Sequence, residues 1–169
     1  PGAKDVVELL RTYSSARDED IDTFIDALIF NWLIAGTDAH AKNYSLLLAG
    51  GGEVRLAPLY DVTSALPYKN LNQDKLSLAM KLGNHYQLRD ISFHDWEKLA
   101  KAVRMDSDRL FGRINAMIDE FPGKAMEVLD GARRSQLTHP LLERLVADLA
   151  ARSTACKRIV AHRKSATAS

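Results

Sequence analysis

Thr37-Asp38-Ala39-His40-Ala41-Lys42-Asn43-Tyr44 decides how the chain is read, because this polar loop, dense in ionisable side chains, stands between two different periodicities. On its N-terminal side Ile21, Phe24, Ile25, Leu28, Ile29, Trp32 and Leu33 recur at spacings of three and four, which predicts a buried helix from about Asp20 to Ala35. Gly36 follows where a helix commonly ends on a left-handed residue, so 37–43 reads as a loop leaving a fixed helix. On the C-terminal side Tyr44 to Leu48 and Glu53 to Leu59 are short apolar runs joined by Ala49-Gly50-Gly51-Gly52, the pattern of a β-hairpin. The chain then returns to Leu59-Tyr60-Asp61.

Further out, 61–74 carries Pro67 and no periodicity and is expected as a long loop, followed by a strand-like piece from Leu76 to Lys81. Ser92-Phe93-His94-Asp95 resembles a capping box ahead of a helix with Trp96, Leu99, Ala100 and Val103 on one face. Helices are also expected at Ser107 to Glu120, Pro122 to Arg134 and Pro140 to Arg163, the last with an apolar stripe containing Cys156. Pro1 to Asp20 is mixed and charged, and the small-residue tail Ser165 to Ser169 is expected to fray. The fold class expected is therefore mainly α, one helical domain bearing one small hairpin, with no internal repeat.

Composition bounds the rest. A chain of 169 residues, 46% hydrophobic and 27% charged, suffices for one domain that buries roughly 70% of its unfolded surface. A formal net charge of +1 gives no global field toward nucleic acid or a membrane. The longest apolar stretch, Ala27 to Ala35, is broken by Asn31 and falls far short of the roughly 20 residues that span a bilayer, so no membrane partner is expected. A lone cysteine and the lack of a signal sequence at the start favour a reducing, cytoplasmic setting.

The loop and Asp61 together have the chemistry of phosphoryl transfer. That reaction needs an acceptor for a hydroxyl proton and oxygen ligands that hold Mg²⁺ against the phosphates of ATP. Asp38, Asn43 and Asp61 are of those types. Protein kinases place an Asp, an Asn five residues on, and a metal-binding Asp beyond a short hairpin, and the same order and spacing occur here. Taken singly, these three residues across 24 positions would be two caps and a turn residue; the hairpin between them favours the functional reading.

The sequence resembles the HipA-like family of bacterial serine/threonine kinases, the toxins of toxin-antitoxin pairs. The resemblance rests on Phe30-Asn31-Trp32-Leu33-Ile34, on Thr37 to Ser45, and on Leu56-Ala57-Pro58-Leu59-Tyr60-Asp61-Val62-Thr63-Ser64-Ala65-Leu66-Pro67, and covers about 20–163. It implies a protein-kinase-like C-terminal helical lobe over 1–169, with a catalytic base at Asp38 and Mg²⁺ ligands at Asn43 and Asp61. His40 and Lys42 fall in the same motif and could meet the phosphates of ATP. The family implies a protein substrate, aminoacyl-tRNA synthetases among them, and a helix-turn-helix antitoxin through which DNA is reached only indirectly.

The departure from the family is the expected absence of an N-terminal lobe. No glycine-rich loop precedes the catalytic segment, and Gly50-Gly51-Gly52 lies on its wrong side. The chain opens on Pro1, as an excised or processed fragment would. Alone it is expected to be inactive; the alternative is a non-catalytic binding module or split-kinase subunit that docks an antitoxin or a separate N-terminal lobe. A rival metal reading pairs Asp38-Ala39-His40 with Gly83-Asn84-His85 as in dinuclear metallophosphoesterases, but it lacks a bridging carboxylate and a β-rich frame. Trp32, Trp96, Phe24 and Phe111 read as core, Cys156 as a small buried hydrophobe, and Lys157, Arg158, Arg163 and Lys164 as a solvated helix end.

Overall fold

Five α-helices, two hairpins and four short 3₁₀ turns make up the described secondary structure of the computed structural model, which describes the backbone of 1–167 and the side chains of 1–163. The helices are α1 (Ala3–Tyr13), α2 (Arg17–Ile34), α3 (Phe93–Ala102), α4 (Ser107–Arg134) and α5 (Pro140–Thr167). The strands are β1 (Leu46–Leu48), β2 (Val54–Leu56), β3 (Ser77–Leu82) and β4 (His85–Gln87). The mainly helical class is as expected; of the tail expected to fray, 165–167 instead continue the backbone of α5, and 168–169 lie outside the described residues.

The apolar periodicity of α2 places Phe24, Ile25, Ile29, Trp32 and Leu33 at the centre of the molecule, where all five are fully buried. Trp32 meets Trp96 of α3 edge-on, with ring centroids 5.2 Å apart. Phe111 is buried in the same core, and burial pushes the Cys156 thiol up to about 11, so it behaves as the inert hydrophobe expected. Arg113 of α4 ties the polar side of α2 through Asp22 and Asp26 at 2.6–3.2 Å.

Four features depart from the sequence reading. The segment 1–20 holds α1, whose Ala3, Val6, Val7 and Leu10 are a short stripe at helical spacing that joins the same core. A second hairpin is present, because Gly83 turns β3 into β4 with φ +53°, and a Cβ there would fall 2.5 Å from the Asp95 Cα. The left-handed residue ending α2 is Ala35 (φ 53°); Gly36 is required instead by proximity, since a Cβ would lie 2.3 Å from Asn31 Oδ1.

The fourth departure is that α4 runs unbroken through Pro122. A helical proline removes the hydrogen bond to the carbonyl four residues earlier, here Ile118. That carbonyl accepts the buried Ser153 hydroxyl of α5 at 3.0 Å, so the helix continues without an orphaned acceptor.

Asp95 is the junction of α3 with the second hairpin. Its carboxylate, 1% exposed, accepts from the Asn84 and Ser92 amides, the Ser92 hydroxyl and His85 Nδ1 at 2.9–3.0 Å. Burial alone would raise its pKa, and these donors outweigh it, holding the group at about 2. Because the folded value lies below the unfolded one, the stabilisation is complete above about pH 4 and is lost as pH falls toward 2. Urea midpoints measured from pH 5 to pH 2 should therefore show an acid-induced loss of about 2 kcal/mol that Asp95→Asn removes. Parallel pH profiles for wild type and variant would show that Asp95 is not its source.

Candidate active site

The polar loop is held from below by α2. Tyr44 packs edge-on against Phe24 at 4.8 Å, and its hydroxyl accepts from the buried Asn31 amide at 3.4 Å. Burial pushes the Tyr44 phenol up to about 12, so it stays a neutral anchor. Immediately before it, 41–43 form one 3₁₀ turn, and backbone bonds from His40 to the Asp38 carbonyl (2.8 Å) and from Asn43 to the His40 carbonyl (2.9 Å) close the loop.

Asn43 is buried, and its amide nitrogen makes two bonds: to the Asp38 main-chain carbonyl at 3.0 Å and to the Asp61 carboxylate at 3.3 Å. A carbonyl and a carboxylate only accept, so this end of the side chain must be the NH₂, and the amide oxygen is left for other partners. Asp61 sits in the left-handed region with φ 56°, a conformation that Asp tolerates better than most residues and that recurs at functional sites. Asp38 and Asp61 are both solvent-exposed.

The hairpin aligns this arrangement as a splint. Leu46 pairs with Leu56 and Leu48 with Val54, and Gly51 and Gly52 supply the positive φ values of 78° and 80° at its tip. Tyr60 donates to the Lys42 carbonyl at 2.9 Å and accepts from the Ser45 hydroxyl at 2.8 Å, tying the returning strand to the loop directly before Asp61. At the other end, buried Asp20 accepts from Arg55, Ser14 and the Leu56 amide at 2.7–3.3 Å. Burial opposes the Asp20 charge, yet the Arg55, Ser14 and Leu56 bonds together hold its pKa below the ordinary value.

Of the residues marked in the sequence, Asp38, Asn43 and Asp61 are joined through the Asn43 amide. His40 lies in the same loop with its Nδ1 buried and unpartnered among the described residues, and Lys42 is exposed with its carbonyl held by Tyr60. His85 is taken up by Asp95, and no cluster of three or more His, Cys, Asp or Glu suited to a metal occurs among the described residues. This leaves the dinuclear reading without a site. An Asn and an Asp are nonetheless a fitting donor set for Mg²⁺, which takes one or two protein oxygens and fills its shell with water and phosphate. Asp20, Arg55 and Tyr60 had no assigned role in the sequence reading; the charge on a buried helix start facing an Arg in the hairpin was the available signal. The basic end of α5 is not simply solvated: Lys157 pairs with Asp119 at 2.6 Å, and Arg163 with Asp108 at 2.7 Å, while the Lys164 side chain lies outside the described residues.

A helical body carrying a loop, hairpin and second loop in this arrangement is the C-terminal part of a kinase-like fold. A family model described as the HipA-like C-terminal domain matches residues 2–128, and the chain belongs to that family. It is 32% identical over 130 residues to a Sinorhizobium fredii protein named "Putative kinase Y4mE", covering 77% of this chain and 30% of that one. It is 41% identical over 49 residues to "Putative kinase Y4dM" of the same organism, covering 29% and 12% of the two. Among solved structures, a chain of the Shewanella oneidensis MR-1 complex of HipA, HipB and operator DNA superposes with a TM-score of 0.79 at 18% identity, over 95% of this chain and 36% of that one. The chain thus spans about a third of the length of Y4mE and of the superposed chain. No described helix is long and apolar enough to cross a membrane.

Proposed function

We propose that the chain is the C-terminal catalytic lobe of a HipA-like serine/threonine protein kinase. The observation that carries this is the Asn43 amide bonded at once to the Asp38 backbone and the Asp61 carboxylate, which brings together residue types that phosphoryl transfer requires. Asp38 is the base: its exposed carboxylate accepts the proton of a substrate hydroxyl as that oxygen bonds to the γ-phosphorus of ATP and the bond to ADP breaks. Asn43 and Asp61 would hold Mg²⁺, which when bound neutralises phosphate charge. Asn43 also fixes the Asp38 backbone, so base and ligand positions are set by one side chain. His40 and Lys42, in the same loop, would meet the phosphates.

A nucleotide-binding N-terminal lobe works with this one in the proposal. The solved neighbour contains HipB and operator DNA, and this supports a helix-turn-helix antitoxin as partner, with DNA reached only through it. The family resemblance supports a protein substrate of the aminoacyl-tRNA synthetase class. Phosphoryl transfer depends mostly on positioning, so the 169-residue chain by itself should bind Mg-ATP no more tightly than about the millimolar range and show no turnover. Calorimetry and a labelled-phosphate transfer assay, with and without an added nucleotide-binding lobe, check this. Micromolar binding with turnover by the chain alone would refute the division of labour, and Mg-independent transfer in the two-lobe assay would refute the site.

A further inference from the structure

Beyond Asp61 the chain does not wander freely. Ser64 donates to the Ile34 carbonyl at 2.6 Å and the Ala65 amide to the Ala35 carbonyl at 3.1 Å, pinning the segment to the end of α2 just before the Asp38 loop. From there 66–73 runs along α5 and lines with it an open cleft of about 420 Å³, whose polar side chains are Lys69, Gln73, Arg144 and Asp148. Arg144 is fixed by donating Nη2 to the Pro67 carbonyl at 3.1 Å, and its Nε is buried with no partner. Among the described residues neither Arg144, Lys69 nor Asp148 has an ion-pair partner, although Arg144 and Asp148 are one turn apart on α5.

Such an arrangement is unusual for a structural arginine. A guanidinium that is partly desolvated and held in place, yet lacks an anion, is prepared to receive one, and Arg binds carboxylate or phosphate through paired donors. Lys69 adds a second cation and Asp148 one opposing charge, so the polar lining sums to a single positive charge, suited to one anionic group. Leu66, Leu71 and Ala151 provide apolar wall for the stem that carries it.

We infer that the cleft between 66–73 and α5 is a specificity subsite that takes an anionic side chain of the protein substrate, carboxylate or phosphorylated, on Arg144 and Lys69. This rests on the kinase reading of Asp38 and Asp61. Pro67 lies six positions beyond Asp61, a span of at most about 20 Å, so in an extended substrate the anionic residue lies within about six positions of the accepting hydroxyl.

The test is direct binding, which does not require turnover. Fluorescent serine peptides, identical except for Glu, phosphoserine or Gln scanned through the six positions on either side, are titrated into the 169-residue chain and followed by anisotropy. At one position Glu or phosphoserine should bind about tenfold tighter than Gln, and which of the two is preferred identifies the source of the anion. Arg144→Gln should abolish that preference, and Asp148→Asn should increase it. If Arg144→Gln fails to fold, Lys69→Gln, on an exposed side chain, should reduce the preference severalfold at unchanged stability. Equal binding of Glu, phosphoserine and Gln peptides, no binding of any, or a preference that survives both substitutions overturns the subsite. Those outcomes leave the kinase reading intact, because that stands or falls on phosphate transfer in the two-lobe assay.

Discussion

Asp38→Ala, assayed with a nucleotide-binding lobe supplied, lowers the single-turnover rate of phosphoryl transfer by roughly 10²- to 10⁴-fold while Mg-ATP affinity stays nearly unchanged. The split between rate and affinity follows from the geometry. Asn43 grips the main-chain carbonyl of Asp38, not its side chain, so the loop keeps its shape when the carboxylate is removed. The loss is then that of a positioned proton acceptor. The decisive measurements are single-turnover rate and ATP affinity across a Mg²⁺ titration. Loss of metal-dependent binding in this variant would make Asp38 a ligand, and an undiminished rate would remove it from the catalytic centre.

Asp61→Asn has the opposite signature. Asparagine also tolerates the left-handed backbone at this position and keeps an oxygen able to accept from Asn43, so the substitution isolates the charge. Mg²⁺-dependent ATP binding should weaken roughly tenfold or more, with turnover falling further, because the carboxylate supplies the only formal charge of the donor pair. Asn43→Ala should weaken metal binding less, since it removes a neutral ligand, but should also slow transfer by freeing the Asp38 backbone. An Asp61→Asn enzyme with unaltered Mg²⁺ dependence would show that the cation is held elsewhere.

What the sequence determined by itself was local. The three- and four-residue spacing from Ile21 to Leu33 is dictated by which face of one helix must be dry, and Ala49 to Gly52 by the need for positive φ in a tight turn, so α2 and the first hairpin were legible without any neighbour. The order of Asp38, Asn43 and Asp61 was legible for the same reason: all three lie within one helix-loop-hairpin unit.

Where an answer needed a partner distant in the chain, the sequence was silent or misleading. Pro122 reads as a helix end because its lost bond is visible locally, whereas the Ser153 hydroxyl that relieves it comes from another helix. Gly36 reads as a left-handed cap, whereas Asn31 crowds that position and Ala35 takes the turn. The clamp of Asp20 on Arg55 and Leu56 spans 35 and 36 residues, and the cleft around Arg144 exists only because 66–73 is pinned to α2 and laid against α5. Periodicity and turn chemistry act over a few residues and are written in order along the chain. Burial and polar satisfaction depend on what folds back from far away, and only the tertiary structure decides them.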